Sequence, residues 1–113
     1  MIDPGQIFTE DNSLEWQQVD AGVSRKIMSY TPELMLVKVR FEQDAVGYLH
    51  QHPHLQMSYV ATGKFEVQIG EEKRILQTGD VFFAPSAVTH GVTCLEAGLL
   101  IDVFNPARED FIG

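Results

Sequence analysis

From about residue 25 onward, the chain is a series of short runs with the composition of β-strands, broken by Gly, Pro, Asp and Asn. Eight such runs occur, at residues 25–30, 34–41, 56–61, 65–70, 73–77, 81–85, 90–96 and 99–104. No long helix is indicated, and this spacing is typical of a sandwich or barrel rather than of βαβ units. The sequence therefore predicts an all-β, antiparallel jelly-roll barrel whose mouth can hold a ligand.

Glycine occupies three of the connections between these runs, in the pairs Thr62-Gly63, Gly70-Glu71 and Gly79-Asp80. A tight connection can require a positive φ, which glycine adopts without steric cost. We therefore expect hairpin turns at all three positions.

The length of 113 residues suits one domain, residues 1–113, with a single core. A formal net charge of -8 disfavours binding to nucleic acid or to an anionic membrane, because both need clustered Lys and Arg. A small anionic ligand remains compatible with this charge if a metal ion and one well-placed Arg supply a local positive patch.

The cellular compartment is predicted from two features of the chain. Cys94 is the single cysteine, so no internal disulfide can form. Residues 1–12 have neither a basic region nor an apolar core of a signal peptide, and no apolar run approaches about 18 residues. We expect a cytoplasmic protein.

A metal site is indicated by the histidines. His50 and His52 stand two residues apart, so on an extended strand both side chains point to the same face, and Gln56 keeps the same parity. His90, far downstream, adds a third imidazole. These are neutral ligands, and they suit a divalent transition metal that keeps open positions for chemistry. His54 follows Pro53, and we expect it at the rim of the site or supporting a ligand, although it offers a further imidazole.

Two motifs resemble those of the cupin superfamily. The first comprises Gly47, His50-x-His52, Gln56 and Gly63, with Gln where many cupins have Glu; the second comprises Gly79-Asp80, Pro85 and His90. Ala87 and Cys94 stand where the second motif usually has glycine and asparagine, and the segment 43–46 lacks a glycine often found before the first. The resemblance implies a single-domain cupin.

A narrower resemblance, to the KdgF family of pectin and alginate catabolism, covers most of the chain. It is carried by HQHPHLQMSYVATGKFEVQIG (50–70), the GD…P…HGV block, LEAGLLIDVF (95–104) and PAREDF (106–111). That family opens the rings of 4,5-unsaturated uronates. The resemblance implies one divalent ion (Ni, Zn, Mn or Fe) and a pocket formed by the ligands His50, His52, Gln56 and His90 together with Asp102, Phe104 and Arg108. It also implies an anionic sugar substrate and a homodimer, to which the N-terminal segment 1–24, and 14–23 in particular, would contribute.

The three pocket residues also carry signals of their own. Asp102 lies in an apolar run, where an unpaired carboxylate is expensive to bury, so it is either a catalytic base or a structural ion-pair partner. Phe104 shares the parity of Asp102 and is either an apolar wall of the site or plain core. Arg108 is either a bidentate clamp for a substrate carboxylate or a solvated charge.

Other functions remain open to the same sequence. Three histidines around Fe(II) would also serve a cupin dioxygenase, and a small cupin can be a non-catalytic module that binds a sugar or a metal. Cys94 is expected to be a small buried hydrophobe, and Trp16, Met28 and Met35 to be packing or dimer-interface residues.

Overall fold

The computed structural model describes residues 2–112. Within this range, eight strands follow one another: β1 (Gln17–Asp20), β2 (Val23–Thr31), β3 (Leu34–Phe41), β4 (Val46–His50), β5 (Leu55–Ile69), β6 (Glu72–Gln77), β7 (Val81–Ala84) and β8 (His90–Asn105). A short 3₁₀ turn (Asp11–Ser13) precedes β1, and a four-residue helix, α1 (Glu109–Ile112), ends the described chain. No described helix has the length and apolarity needed to cross a membrane.

The two longest strands, β5 and β8, form the spine of the fold. They pair antiparallel from Leu55 opposite Asn105 to Ile69 opposite His90. One half of this pair continues into β7 on one side and into β3, β2 and β1 on the other. The other half continues into β6 and β4. Residues from both halves pack against one another in the core, so the two halves form the facing sheets of the predicted all-β jelly roll.

The prediction of a turn at Thr62-Gly63 is wrong, because this pair lies inside β5. The predicted strands 56–61 and 65–70 are one bent strand, as are 90–96 and 99–104. Gly63 has a φ of +91° at the bend, and a Cβ there would lie 2.7 Å from the Glu96 carbonyl oxygen. Gly98 approaches the Thr62 carbonyl so closely that a Cβ would collide with it. Glycine therefore serves here to bend two paired strands rather than to reverse the chain.

Of the other two predicted glycine hairpins, one is present and one is not. Gly70 (φ +59°) joins β5 and β6 in the expected hairpin. Gly79 (φ +96°) does turn the chain, but β7 pairs with β5 rather than with β6, so this connection is not a hairpin. β1 and β4 were not predicted, because neither has a sustained apolar alternation.

The apolar core fills the end of the barrel where the strands bend. Its buried members are Val23, Phe41, Ala45, Val60, Phe65, Val67, Phe82, Cys94 and Leu100. A second buried cluster, Met35, Val37, Phe104 and Ala107, lies against α1. The predicted packing roles of Cys94, Met28 and Met35 are confirmed by their burial. Trp16 is half-buried, beneath the side chains of Arg40 and Lys26.

Candidate metal centre

Three imidazoles are held at the barrel mouth by the backbone next to them. Each directs Nδ1 at a carbonyl oxygen two residues away in sequence: His50 at Tyr48 (2.8 Å), His52 at His54 (3.0 Å) and His90 at Val88 (2.9 Å). A carbonyl only accepts hydrogen bonds, so Nδ1 carries the proton in all three rings. In the neutral ring, Nε2 is then left with a free lone pair, as a metal ligand requires.

Two of these rings lie opposite each other on paired strands, His50 on β4 and His90 on β8, and His52 lies in the loop that joins β4 to β5. One ring nitrogen from each of His50, His52 and His90 lies within 4.8 Å of the others. His52 and His90 are buried and His50 is exposed, so the group opens towards solvent on the His50 side. Burial lowers the pKa of His90 to about 4 and also lowers the pKa of His52. Both rings are therefore neutral at pH 7 and available as electron-pair donors.

Gln56 places an oxygen between two of these nitrogens. Its Oε1 lies 3.1 Å from Nε2 of His52 and 3.1 Å from Nε2 of His90. Both nitrogens present lone pairs, so three acceptors face one another with no hydrogen to share. A cation is the group that satisfies such a set, and three imidazole nitrogens with one amide oxygen suit a divalent transition metal. The described residues therefore fit the expected ion.

Asp102 lies beside this set on β8, opposite Ser58 of β5. It is buried, and the Ser58 hydroxyl donates a 2.6 Å hydrogen bond to its Oδ1. Burial raises the pKa of Asp102 to about 6, against the lowering effects of the Ser58 hydrogen bond and the nearby Arg108 charge. A carboxyl group that titrates near neutrality can both remove and return a proton.

Phe104 lies beside the same candidate site. It pairs with Gln56 across the β5–β8 ladder and is almost fully buried. Its ring centroid lies 5.8 Å from that of His52 and 5.7 Å from that of Phe111 in α1. The residue thus contacts His52 and also belongs to the second core cluster.

Arg108 lies where the chain returns to the mouth. Its guanidinium carbon is 5.3 Å from the Phe104 ring centroid and 4.3 Å from that of Phe111. Both arms of its fork bind Asp110, through Nε at 3.0 Å and through Nη2 at 2.8 Å. The Arg108 side chain is only 12% exposed, whereas that of Asp110 is 60% exposed. The fork is thus held against aromatic rings and already binds a carboxylate.

His54 lies outside the group of three imidazoles. Its backbone carbonyl accepts the hydrogen bond from His52 Nδ1, and its ring centroid is 5.4 Å from that of His52. The contact is made by the backbone of His54 and not by its ring, so a supporting role for the imidazole stays a prediction.

The sequence alone did not indicate Ser58, Asp110 or Phe111 as parts of the site. Ser58 shares the strand parity of Gln56, which was the available signal for an inward hydroxyl. Asp110 stands two residues after Arg108, but a charged pair near the end of a chain is ordinarily solvated.

The family comparison confirms the resemblance. Residues 37–104 match the Cupin domain family. The chain is 46% identical over 104 residues to the pectin degradation protein KdgF of Dickeya dadantii (strain 3937), covering 90% of this chain and 94% of that protein.

Two solved structures share the fold at high identity. KdgF from Halomonas sp. superimposes with a TM-score of 0.90 at 45% identity, covering 94% of this chain and 98% of that one. A RmlC-like cupin from Shewanella frigidimarina NCIMB 400 superimposes with a TM-score of 0.93 at 40% identity, covering 97% and 99%. The chain therefore belongs to the cupin domain family and, within it, to the KdgF family.

Proposed function

We propose that this protein is a metal-dependent enzyme that opens the ring of 4,5-unsaturated uronate monosaccharides, giving 5-keto-4-deoxyuronates. The observation that carries the proposal is the convergence of unprotonated imidazole nitrogens and an amide oxygen beside the buried carboxyl group of Asp102. Similarity to a protein named for pectin degradation supports a uronate as the substrate.

His50, His52, His90 and Gln56 would hold the ion. When bound, a divalent ion there supplies Lewis acidity that stabilises negative charge on a substrate oxygen. All four ligands are uncharged, so the full charge of the ion remains available for this purpose.

Arg108 would bind and orient the substrate through its carboxylate. The fork already holds the Asp110 carboxylate in bidentate geometry, and a substrate carboxylate can replace it there. Phe104 would contact the sugar ring and exclude water from that side of the pocket. These two residues would fix the anomeric carbon next to Asp102.

Asp102 would act as the general base. It removes the proton of the anomeric hydroxyl, the C1–O5 bond breaks, C1 becomes an aldehyde and the electron pair passes to O5. The resulting enolate takes a proton at C4 and becomes the 5-keto group. One proton leaves O1 and one arrives at C4, so the reaction is an isomerisation that consumes no co-reactant.

The test is the loss of the ultraviolet absorbance of the unsaturated monomer. Metal-loaded wild type, EDTA-treated wild type and metal-loaded Asp102→Asn are compared in parallel. Faster loss with the loaded wild type alone would support ring opening at this site. No acceleration by any sample would overturn it; oxygen uptake that requires Fe(II) would then support the dioxygenase, and ligand binding without turnover would support a sugar-binding module.

We also infer a homodimer, from an apolar surface on the outer face of one sheet. Met57 pairs with Phe83, and Tyr59 with Val81, across β5 and β7, and all four side chains are exposed. A contiguous apolar patch of this kind on a sheet is typical of an interface.

The N-terminal segment offers a complementary surface. Ile7 and Phe8 are 84% and 86% exposed, although both are large and apolar. In a homodimer these side chains of one copy would be buried against the other. Light scattering should give about twice 12.7 kDa, and a mass near 12.7 kDa would contradict the dimer.

Location in the cytoplasm stays a prediction.

A further inference from the structure

A hydrogen-bonded chain with a fixed direction runs from the Gln56 amide to Asp102. The amide Nε2 of Gln56 donates to the Ser58 hydroxyl oxygen at 3.0 Å. The Ser58 hydroxyl in turn donates to Asp102 Oδ1 at 2.6 Å. All three residues are buried, so water does not compete for these groups.

The direction matters because the two ends of an amide are alike in shape and opposite in chemistry. The oxygen carries lone pairs that bind a cation, whereas the NH₂ group carries only donors. With the NH₂ end turned inward, Gln56 would donate hydrogen bonds to Nε2 of His52 and His90 and occupy their lone pairs. The same side chain would then oppose the ion it is expected to bind.

Ser58 selects between these two orientations. It has one hydroxyl hydrogen, and the Asp102 carboxylate accepts that hydrogen. The Ser58 oxygen can then only accept, so it requires the NH₂ end of Gln56. We propose that Ser58 is a positioning residue that fixes the Gln56 amide with its oxygen towards the metal ion. This proposal rests on the metal site proposed above.

The same chain explains why glutamine suits position 56 in this protein. A glutamate there would place two buried carboxylates on either side of Ser58, and its single hydrogen could serve only one of them. The other would be left without a donor in a buried position, at a considerable cost in free energy. The three residues therefore complement one another: Gln56 donates, Ser58 accepts from it and donates in turn, and Asp102 accepts.

The proposal is tested by the affinity of metal-stripped protein for Ni²⁺, measured by isothermal titration calorimetry. Ser58→Thr and Ser58→Val form a matched pair, because they have the same shape and differ in the hydroxyl group. Each is also made in a Gln56→Glu background, where both side-chain oxygens can bind the ion and no amide has to be oriented. Thermal melts of the metal-free proteins check that every variant is folded.

We expect Ser58→Val to weaken Ni²⁺ binding about 10- to 100-fold relative to Ser58→Thr when residue 56 is Gln. In the Gln56→Glu background, the same comparison should give less than about a three-fold difference, because a carboxylate ligand needs no donor to orient it. An equal loss in both backgrounds, or no loss in either, would overturn the role of Ser58. Failure of the wild type to bind Ni²⁺ or Zn²⁺ would instead overturn the metal site and this proposal with it.

Discussion

The inner surface of the β5–β8 pair differs sharply between the barrel mouth and the closed end. At the mouth, four buried side chains are polar, Gln56, Ser58, His90 and Asp102, and they lie next to the buried ring of Phe104. At the closed end, on either side of the bends, they are apolar: Val60, Phe65, Val67, Cys94 and Leu100. The same two strands are thus buried at both ends of the barrel, with polar groups at the mouth and an apolar core at the closed end.

This difference indicates that the two ends contribute differently to the stability and to the activity of the protein. Burying a carboxyl group is unfavourable, and Ser58 is the one hydrogen-bond donor to Asp102 among the side chains of residues 2–112. The closed end contains no such group and stabilises the fold through removal of apolar surface from water. We expect substitutions at the mouth to change activity and those at the closed end to change stability.

The largest effect is expected for Asp102→Asn, which keeps the shape of the side chain and an acceptor for Ser58. Loss of the general base should lower kcat by about 10²- to 10⁴-fold. Steady-state kinetics on the unsaturated monomer, with metal content measured for each sample, would show this loss. A kcat within a few-fold of the wild type would exclude Asp102 as the base.

The same substitution should make the metal-free protein more stable at pH 7. The pKa of Asp102 is about 6 in the folded protein, against 3.8 as the ordinary value. The folded protein therefore favours the protonated carboxyl group. This stabilising contribution is fully present below pH 3.8 and is lost as the pH rises through about 6. The asparagine of the variant cannot ionise, so we expect a gain on the order of 3 kcal/mol at pH 7 that falls below about 1 kcal/mol at pH 4. Urea unfolding at both pH values measures it, and a gain that does not change with pH would contradict this cause.

At the closed end, Leu100→Ala should lower the stability of the protein and leave its kcat unchanged. Removing a buried leucine from the core should cost about 2–5 kcal/mol in the free energy of unfolding. Leu34→Ala is the matched control, because Leu34 is exposed and should lose far less. The kcat of folded Leu100→Ala should stay near that of the wild type. A large fall in its kcat would show that the two ends are not separable.

A smaller effect is expected at the edge of the mouth, where Asp110 holds the fork of Arg108. If the substrate carboxylate replaces Asp110 there, Asp110→Asn should lower KM by about two- to five-fold, the scale of an exposed ion pair. The kcat should not change, and the effect should shrink at high salt. Glu109→Gln removes the same charge one residue earlier and should leave KM unchanged. A higher KM for Asp110→Asn would show that Asp110 positions Arg108 rather than competing for it.

The sequence predicted the existence of most strands and the grouping of His50, His52 and His90. It could not predict the bends of β5 and β8, because Gly63 has the same local signature in a bulged strand as in a turn. Nor could it predict Ser58, because an inward serine on a strand reads as an ordinary small residue. The relation between Arg108 and Asp110 depends on how the end of the chain packs on Phe104 and Phe111.

At two further positions, this protein has a residue other than the glycine that is common in cupin motifs. The cupin motifs usually have glycine at the position of Ala87 and often have glycine within 43–46. In this protein, Ala87 has a φ of +60° and Asp44 a φ of +70°. The backbone of this protein is therefore left-handed at both places without glycine. The left-handed conformation costs Asp little free energy, whereas for Ala the steric cost is about 1–2 kcal/mol.

Ala87→Gly should therefore stabilise the protein slightly. Relief of the strained φ should exceed the extra freedom that glycine gives the unfolded chain, for a net gain of about 0.5–1 kcal/mol. The Ala87 N–H donates a 2.7 Å hydrogen bond to the His52 carbonyl, and glycine keeps this bond, so Ni²⁺ affinity should not change. Ala97→Gly is the control, because Ala97 is exposed and has an ordinary φ, and it should lose about 0.5–1 kcal/mol. If urea unfolding shows the same loss for both variants, the conformation of Ala87 carries no strain and the loop beside His52 tolerates alanine without cost.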